Sequence, residues 1–411
     1  MVNENYNPAR PMIMHIDLNS CFATVEQQAR PLLRGRPIAV VNRRTENTAI
    51  ITASYEAKAH GVKVGMRYKE AKLLVPDLVL VETDPAKYRF VYHKLMAIMQ
   101  RYSSHVTMKS IDEGVIDFTK TTHAIAKRDL IDVGYEMKQN LRDEVGIAMR
   151  CNVGIGTNRF LAKTAAGLHK PDGLDVIDAS NLRAVMGKLR LTDLTGIAMQ
   201  NERRLNMVGI ETPLQFLDTD AQTLHKIVFK SIVGRQWYQR LRGWEVDDVQ
   251  HTLKTVGRQY VMEAYGLPRE KVIQRLHHLC ESVGAKMRSQ GKSARGVQVY
   301  AKTYDGQYWH ARQMASLPFF SDAAIYAQAL SLFSRAPDVV REIGVTCYEL
   351  SDGTPDQLTI FGDELARQEA VTSAVDTINA QFGERTIHSA STLGTDEHVK
   401  QKIPFGSTRY L

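Results

Sequence analysis

Cysteine is scarce: Cys21, Cys151, Cys280 and Cys347 are the four in 411 residues, too scattered for a zinc site or a disulfide framework. They read as reduced core residues. No apolar run approaches the length of a membrane span, and no charged-then-apolar leader pattern opens the chain, so a cytoplasmic protein with no membrane contact is expected. What is present is ordinary for a soluble globular chain, with 44% hydrophobic and 24% charged residues. A length of 411 residues exceeds one compact core and predicts two or more domains. Charge is uneven: the whole carries +8, while residues 353 onward hold eight acidic and five basic residues, which leaves +11 on residues 1–352. A basic body suits an anionic polymer as partner.

The chain is organised around residues 12–26. Ile13, His15 and Leu18 surround Asp17 in an apolar run that reads as a buried strand, followed by the N-cap candidates Asn19 and Ser20 and the helical pattern of Phe22, Val25 and Glu26. A carboxylate at such a strand end is costly to bury unless it is paired or binds a cation. A second stretch, Ser110-Ile111-Asp112-Glu113-Gly114-Val115-Ile116-Asp117-Phe118-Thr119, puts two neighbouring carboxylates at a turn that Gly114 is expected to relax. Like charges this close repel unless a cation lies between them. Three carboxylates from two strand ends make a hard-oxygen site suited to Mg²⁺, and paired ions of this kind serve phosphoryl transfer.

Three further stretches extend the pattern. Ser54 caps a helix over about 55–60, closed by Gly61, and Tyr55 and Lys58 share a face near its N-terminus, where a phenol and an ammonium form a triphosphate cradle. Cys151–Gly156 reads as a strand, followed by a helix bearing Arg159, Lys163 and Lys170. Residues 180–243 are helical, and Leu194-Thr195-Gly196-Ile197 followed by Val208-Gly209-Ile210 resembles a helix-hairpin-helix, whose glycine turn offers backbone N–H groups to DNA phosphate. Ala198 replaces the second glycine of that turn.

Taken together, Asp17-Leu18-Asn19-Ser20-Cys21-Phe22-Ala23, Ser54-Tyr55-Glu56-Ala57-Lys58, Ser110-Ile111-Asp112-Glu113, and Val153-Gly154-Ile155-Gly156 with Leu161-Ala162-Lys163 resemble the Y-family (translesion) DNA polymerases of the bacterial damage-tolerance branch. The resemblance spans about residues 11–352 and implies an α/β (α+β) multidomain right hand. The palm is expected at 1–20 and 85–175, the fingers at 21–84, the thumb at 176–243, a linker at 244–253, a βαββαβ little finger at 254–352 and a tail at 353–411. It implies that Asp17 and Asp112 bridge two Mg²⁺ ions (Mn²⁺ as substitute), that Glu113 holds the primer-side ion, and that the Leu18 carbonyl completes the nucleotide side. Phe22 falls at the steric gate against ribonucleotides. Tyr55, Lys58 (usually an arginine in the family) and Lys163 fall at the triphosphate.

Between Lys286 and Lys302 five basic residues (Lys286, Arg288, Lys292, Arg295 and Lys302) occur with no acidic one, which favours a DNA-phosphate face. Arg235, Arg240 and Arg242, among Trp237 and Tyr238, either track phosphate or snorkel at the surface. Gln357, Leu358, Ile360 and Phe361 resemble the peptide by which bacterial polymerases dock on the sliding clamp. The reading is a monomeric, template-directed DNA polymerase that takes primer-template DNA and dNTPs, with low fidelity and no proofreading. Two rivals stand beside it: a palm-type nucleotidyl cyclase, and an inactive DNA- and clamp-binding regulator.

Overall fold

A computed structural model describes residues 6–121, 125, 127–249, 252–353 and 362–399. The chain forms two compact units, one of residues up to Val249 and one of Gln250–Gln401. Residues 357–361, with the clamp-like peptide, lie outside the described residues.

The first unit is built on a five-stranded sheet in the order β5-β6-β1-β7-β8, from β1 (Ile13–Leu18), β5 (Val106–Met108), β6 (Glu113–Asp117), β7 (Cys151–Gly156) and β8 (Leu174–Ile177). Alternation along β1 sorts its side chains between two faces. Met14, Ile16 and Leu18 enter the main core, beneath α4 (Pro85–Gln100) and α5 (Leu130–Glu144), whose Tyr88, Val91, Leu95, Ile98, Val133, Met137 and Leu141 form one buried stripe on each helix. Ile13, His15 and Asp17 face the other way, toward α6 (Arg159–Leu168). That helix can lie so close because β7 offers glycine: a Cβ on Gly154 would stand 2.0 Å from the Ala162 carbonyl oxygen.

Between β1 and α4 sits a small layer of β2 (Ile38–Val41), β3 (Ile50–Ala53) and β4 (Val79–Glu82), with α1 (Cys21–Ala29), α2 (Tyr55–Ala59) and α3 (Tyr68–Leu74). Ser54 caps α2 as expected, accepting from the Ala57 N–H at 3.3 Å. Ser20 does not cap α1 with its side chain; it takes a left-handed turn (φ 44°) that reverses the chain after β1. After β8 come short helices, among them α7 (Leu182–Met186), α8 (Met199–Asn206), α9 (Pro213–Asp218) and α10 (Ile232–Leu241), packed around Phe216, Phe229 and Trp237. Gly196 adopts φ +93° against the Trp237 ring, a turn conformation that favours glycine, while Ala198 becomes the N-cap of α8.

The second unit holds β9 (Thr255–Val261), α11 (Arg269–Arg288), β10 (Lys292–Lys302), β11 (Tyr308–Phe319), α12 (Asp322–Phe333) and β12 (Glu342–Asp352), the βαββαβ order expected, with sheet order β11-β10-β12-β9. Residues 367–399 are part of this unit. After α13 (Gly362–Phe382), Arg385 pairs with Glu281 of α11, the Ser389 N–H donates to Glu281 at 2.8 Å, and His278 meets the Thr395 hydroxyl at 2.6 Å.

Candidate active site

The β1–β6 register sets Asp17 opposite Glu113, and the Leu18 N–H donates to the Asp112 carbonyl at 2.8 Å, so all three acids converge on one end of the sheet. Asp112 lies in the short loop that joins β5 to β6 in an antiparallel hairpin, at the turn the sequence implies, and Glu113 opens β6. Gly114 is a strand residue whose missing side chain makes room for Met99 and Met108, not a turn glycine. Among the described residues no three acidic, histidine or cysteine side chains close on a single metal-binding point. Each carboxylate is met by another group. Lys170 pairs with Asp17, the Ser110 hydroxyl donates to Asp112, and Lys163 Nζ lies 2.8 and 2.6 Å from the two oxygens of Glu113. His15 Nε2 contacts Glu113 Oε2 at 3.1 Å.

The electrostatics follow from these contacts. Burial raises the Asp112 carboxyl; the Ser110 hydroxyl opposes that, and the charges of Asp17 and Glu113 add to it. Burial works in the same direction on Glu113, but His15 and Lys163 overcome it and hold this carboxyl at about 2. The Cys21 thiol is pushed well up by burial, then by Asp112 and Asp17, which rules it out as a thiolate nucleophile.

Beside Asp17 lies a cationic group. Lys58 Nζ sits 4.8 Å above the Tyr55 ring centre and donates to the Ser20 hydroxyl at 2.7 Å. Its ammonium is lowered by burial, then by the repulsion of Lys170, with Asp17 opposing. Tyr55 is raised by burial, against the nearby Lys170. The structure therefore groups Tyr55, Lys58 and Lys170. Lys163, expected at the triphosphate, is instead held on Glu113 from α6. Lys170 does not belong to that helix, which ends at Leu168. The available cue was Pro171, because a residue before proline is kept out of helical backbone. Phe22 is 2% exposed and stacks on Tyr88, ring centres 4.0 Å apart at 4°, a rigid wall at the start of α1.

Three of the five basic residues of the second unit's cluster are paired with acids. Arg288 is mostly buried and bridges Asp322 and Asp376 at 2.6 and 2.7 Å, and Lys292 and Lys302 pair with Asp352 and Glu342. Burial and Arg258 lower the Lys286 ammonium to about 8. Arg295 is exposed at the irregular register of β10. In the first unit Arg240 pairs with Asp247 at the linker, and Arg242 is buried against Tyr238, so both are structural; Arg235 is exposed.

Residues 16–167 match the impB/mucB/samB family and residues 264–360 match its C-terminal domain. A DNA polymerase IV of Moorella thermoacetica is 33% identical over 396 residues, 93% of this chain and 96% of that protein. One from Staphylococcus aureus is 28% identical over 85% of this chain and 98% of its own length. Among solved structures, a Y-family DNA polymerase chimera of Dbh and Dpo4 superposes with a TM-score of 0.69 at 22% identity, over 83% of this chain and 99% of that one. The last match assigns the fold, a right hand of palm, fingers, thumb and little finger. The chain belongs to the impB/mucB/samB family, the Y family of DNA polymerases.

Proposed function

We propose that this chain extends a primer 3′-hydroxyl past damaged template bases by two-metal nucleotidyl transfer, without proofreading. The observation that carries the reading is one end of the sheet where three carboxylates converge, two of them met by lysine ammoniums, beside the Tyr55–Lys58–Lys170 group. The donor set fits Mg²⁺: the oxygens are hard ligands, and the paired ammoniums mark where positive charge is favoured. Asp17, Asp112, Glu113 and the Leu18 carbonyl would hold the ions, which supply activation of the primer hydroxyl and charge stabilisation at the leaving phosphate.

The chain's own residues do the rest. Tyr55, Lys58 and Lys170 bind and orient the triphosphate; Lys58 brings charge without the two-pronged grip of an arginine. Lys163 and His15 keep Glu113 ionised and aimed. Phe22, braced by Tyr88, walls off a ribose 2′-hydroxyl. The Gly196 turn and Arg295 contact phosphates of primer-template DNA, with the palm, fingers, thumb and little finger divided as the sequence implies. Docking of Gln357, Leu358, Ile360 and Phe361 on a sliding clamp rests on the sequence.

The test is primer extension with Mg²⁺ on undamaged and lesion-bearing templates, comparing the wild type with Asp112→Ala/Glu113→Ala. Extension by the wild type alone, with no excision of a mismatched 3′ end, is expected. Extension by both would remove the carboxylate assignment. No extension by either, with DNA binding intact, would return the weight to a non-catalytic regulator.

A further inference from the structure

The segment that carries Lys170, between α6 and β8, has no regular structure of its own, yet its ammonium stands beside Asp17. Two buried amides hold it, one on each side of the lysine. Asn152 in β7 donates its Nδ2 to the His169 carbonyl at 3.0 Å. Asn19, the residue after β1, accepts the Asp172 N–H on its Oδ1 at 2.8 Å. The two side chains then meet, Asn19 Nδ2 donating to Asn152 Oδ1 at 2.8 Å.

Both side chains are closed to solvent, Asn19 3% and Asn152 0% exposed. The ends of this run are a backbone N–H, which can only donate, and a carbonyl, which can only accept, so neither amide can be turned over. Lys138 and Arg142 of α5 steady the same turn from outside: Lys138 Nζ lies 3.2 Å from the Gly173 carbonyl and 3.1 Å from the Asp172 carboxylate, which Arg142 also meets at 2.6 Å.

We infer that Asn19 and Asn152 are positioning residues for Lys170 and, through it, for the triphosphate of the incoming nucleotide. The inference rests on the reading of Lys170 given above. Asn19 follows Asp17 by two residues, so the turn that presents a carboxylate also fixes the ammonium that partners the phosphates.

Asn19→Asp tests this at constant shape. It sets a carboxylate oxygen against Asn152 Oδ1, acceptor to acceptor, and turning Asn152 over only moves the conflict to the His169 carbonyl. The readout is equilibrium dNTP binding to full-length protein on primer-template DNA with a dideoxy-terminated primer, alongside KM and kcat on an extendable one. In the wild-type background the dNTP Kd and KM should rise about tenfold, the effect of leaving one buried polar group unpaired. Affinity for primer-template DNA should stay close to wild type, while the thermal midpoint falls by a few degrees, the cost of the same unpaired group to the fold. In a Lys170→Ala background the same substitution should change the dNTP Kd by no more than about twofold, because coupled residues are not additive.

An equal rise in both backgrounds would mean that the new charge acts on the nucleotide directly, and would overturn the positioning role. An unchanged Kd in Lys170→Ala alone would overturn the Lys170 reading instead, a separate failure. If Asn19→Asp does not fold, Asn152→Asp breaks the same run at the His169 carbonyl and should give the same pattern; a wild-type Kd there overturns the proposal.

Discussion

Lys163→Met separates two roles for one ammonium, because each predicts a different loss. A triphosphate ligand would show itself only when dNTP is present. A partner of Glu113 would show itself in the ion-free protein. Lys163 Nζ lies 2.8 and 2.6 Å from the Glu113 oxygens, and that carboxyl is held at about 2 instead of 4.5. A displacement of that size corresponds to about 3 kcal/mol at pH 7. His15 shares it, and Lys163 is 36% exposed. Solvent screening leaves about 1–2 kcal/mol as the share of Lys163. Methionine keeps the aliphatic stem and its packing.

The sign follows from the direction of the shift. A carboxyl lowered in the folded state stabilises fully above its unfolded value, and that stability is lost as pH falls through the folded one. In EDTA, urea unfolding should show the variant less stable by about 1–2 kcal/mol at pH 7. The gap should hold down to about pH 4.5 and close toward pH 2. A zero gap at pH 7, or one that persists undiminished at pH 3, refutes the pairing and returns Lys163 to the triphosphate.

Other outcomes can be checked alongside. Phe22→Ala should admit ribonucleotides, measured as the ratio of rNTP to dNTP incorporation, while losing about 3–5 kcal/mol of stability because the ring is buried against Tyr88; unchanged exclusion would refute the gate. Arg288→Ala should destabilise the protein by about 3–5 kcal/mol by leaving Asp322 and Asp376 unpaired. Arg295→Ala should instead lower the slope of log affinity for DNA against log salt by about one, with stability unchanged. His278, held at about 4 by burial and then by Arg385, should stay neutral at pH 7. The unfolded chain takes up that proton first, so stability should fall between about pH 6.5 and 4, by up to about 3 kcal/mol, and His278→Gln should flatten that slope in pH-dependent urea unfolding.

Much of the site was legible because it is local. The hydrophobic run around Asp17, the Ser54 cap and the strand Cys151–Gly156 depend on neighbours a few residues away, and the structure keeps all three. The two apolar stripes of α4 and α5 likewise need only a helical period. Charge partners were not legible in this way. A run of basic residues without acids looks like a phosphate face, yet Arg288 is answered by Asp322 and Asp376, 34 and 88 residues on. Arg240 is answered by Asp247, and Arg242 is buried against Tyr238.

The sequence by itself determined which carboxylates stand at strand ends and which residues cap, turn or fill a core, since backbone sterics and periodicity act over one or two turns. Only the tertiary structure decided which cation meets which acid. Lys163 reaches Glu113 across 50 residues, and Lys170 reaches Asp17 across 153. Coulomb attraction and desolvation depend on distance and burial in three dimensions, and separation along the chain carries neither.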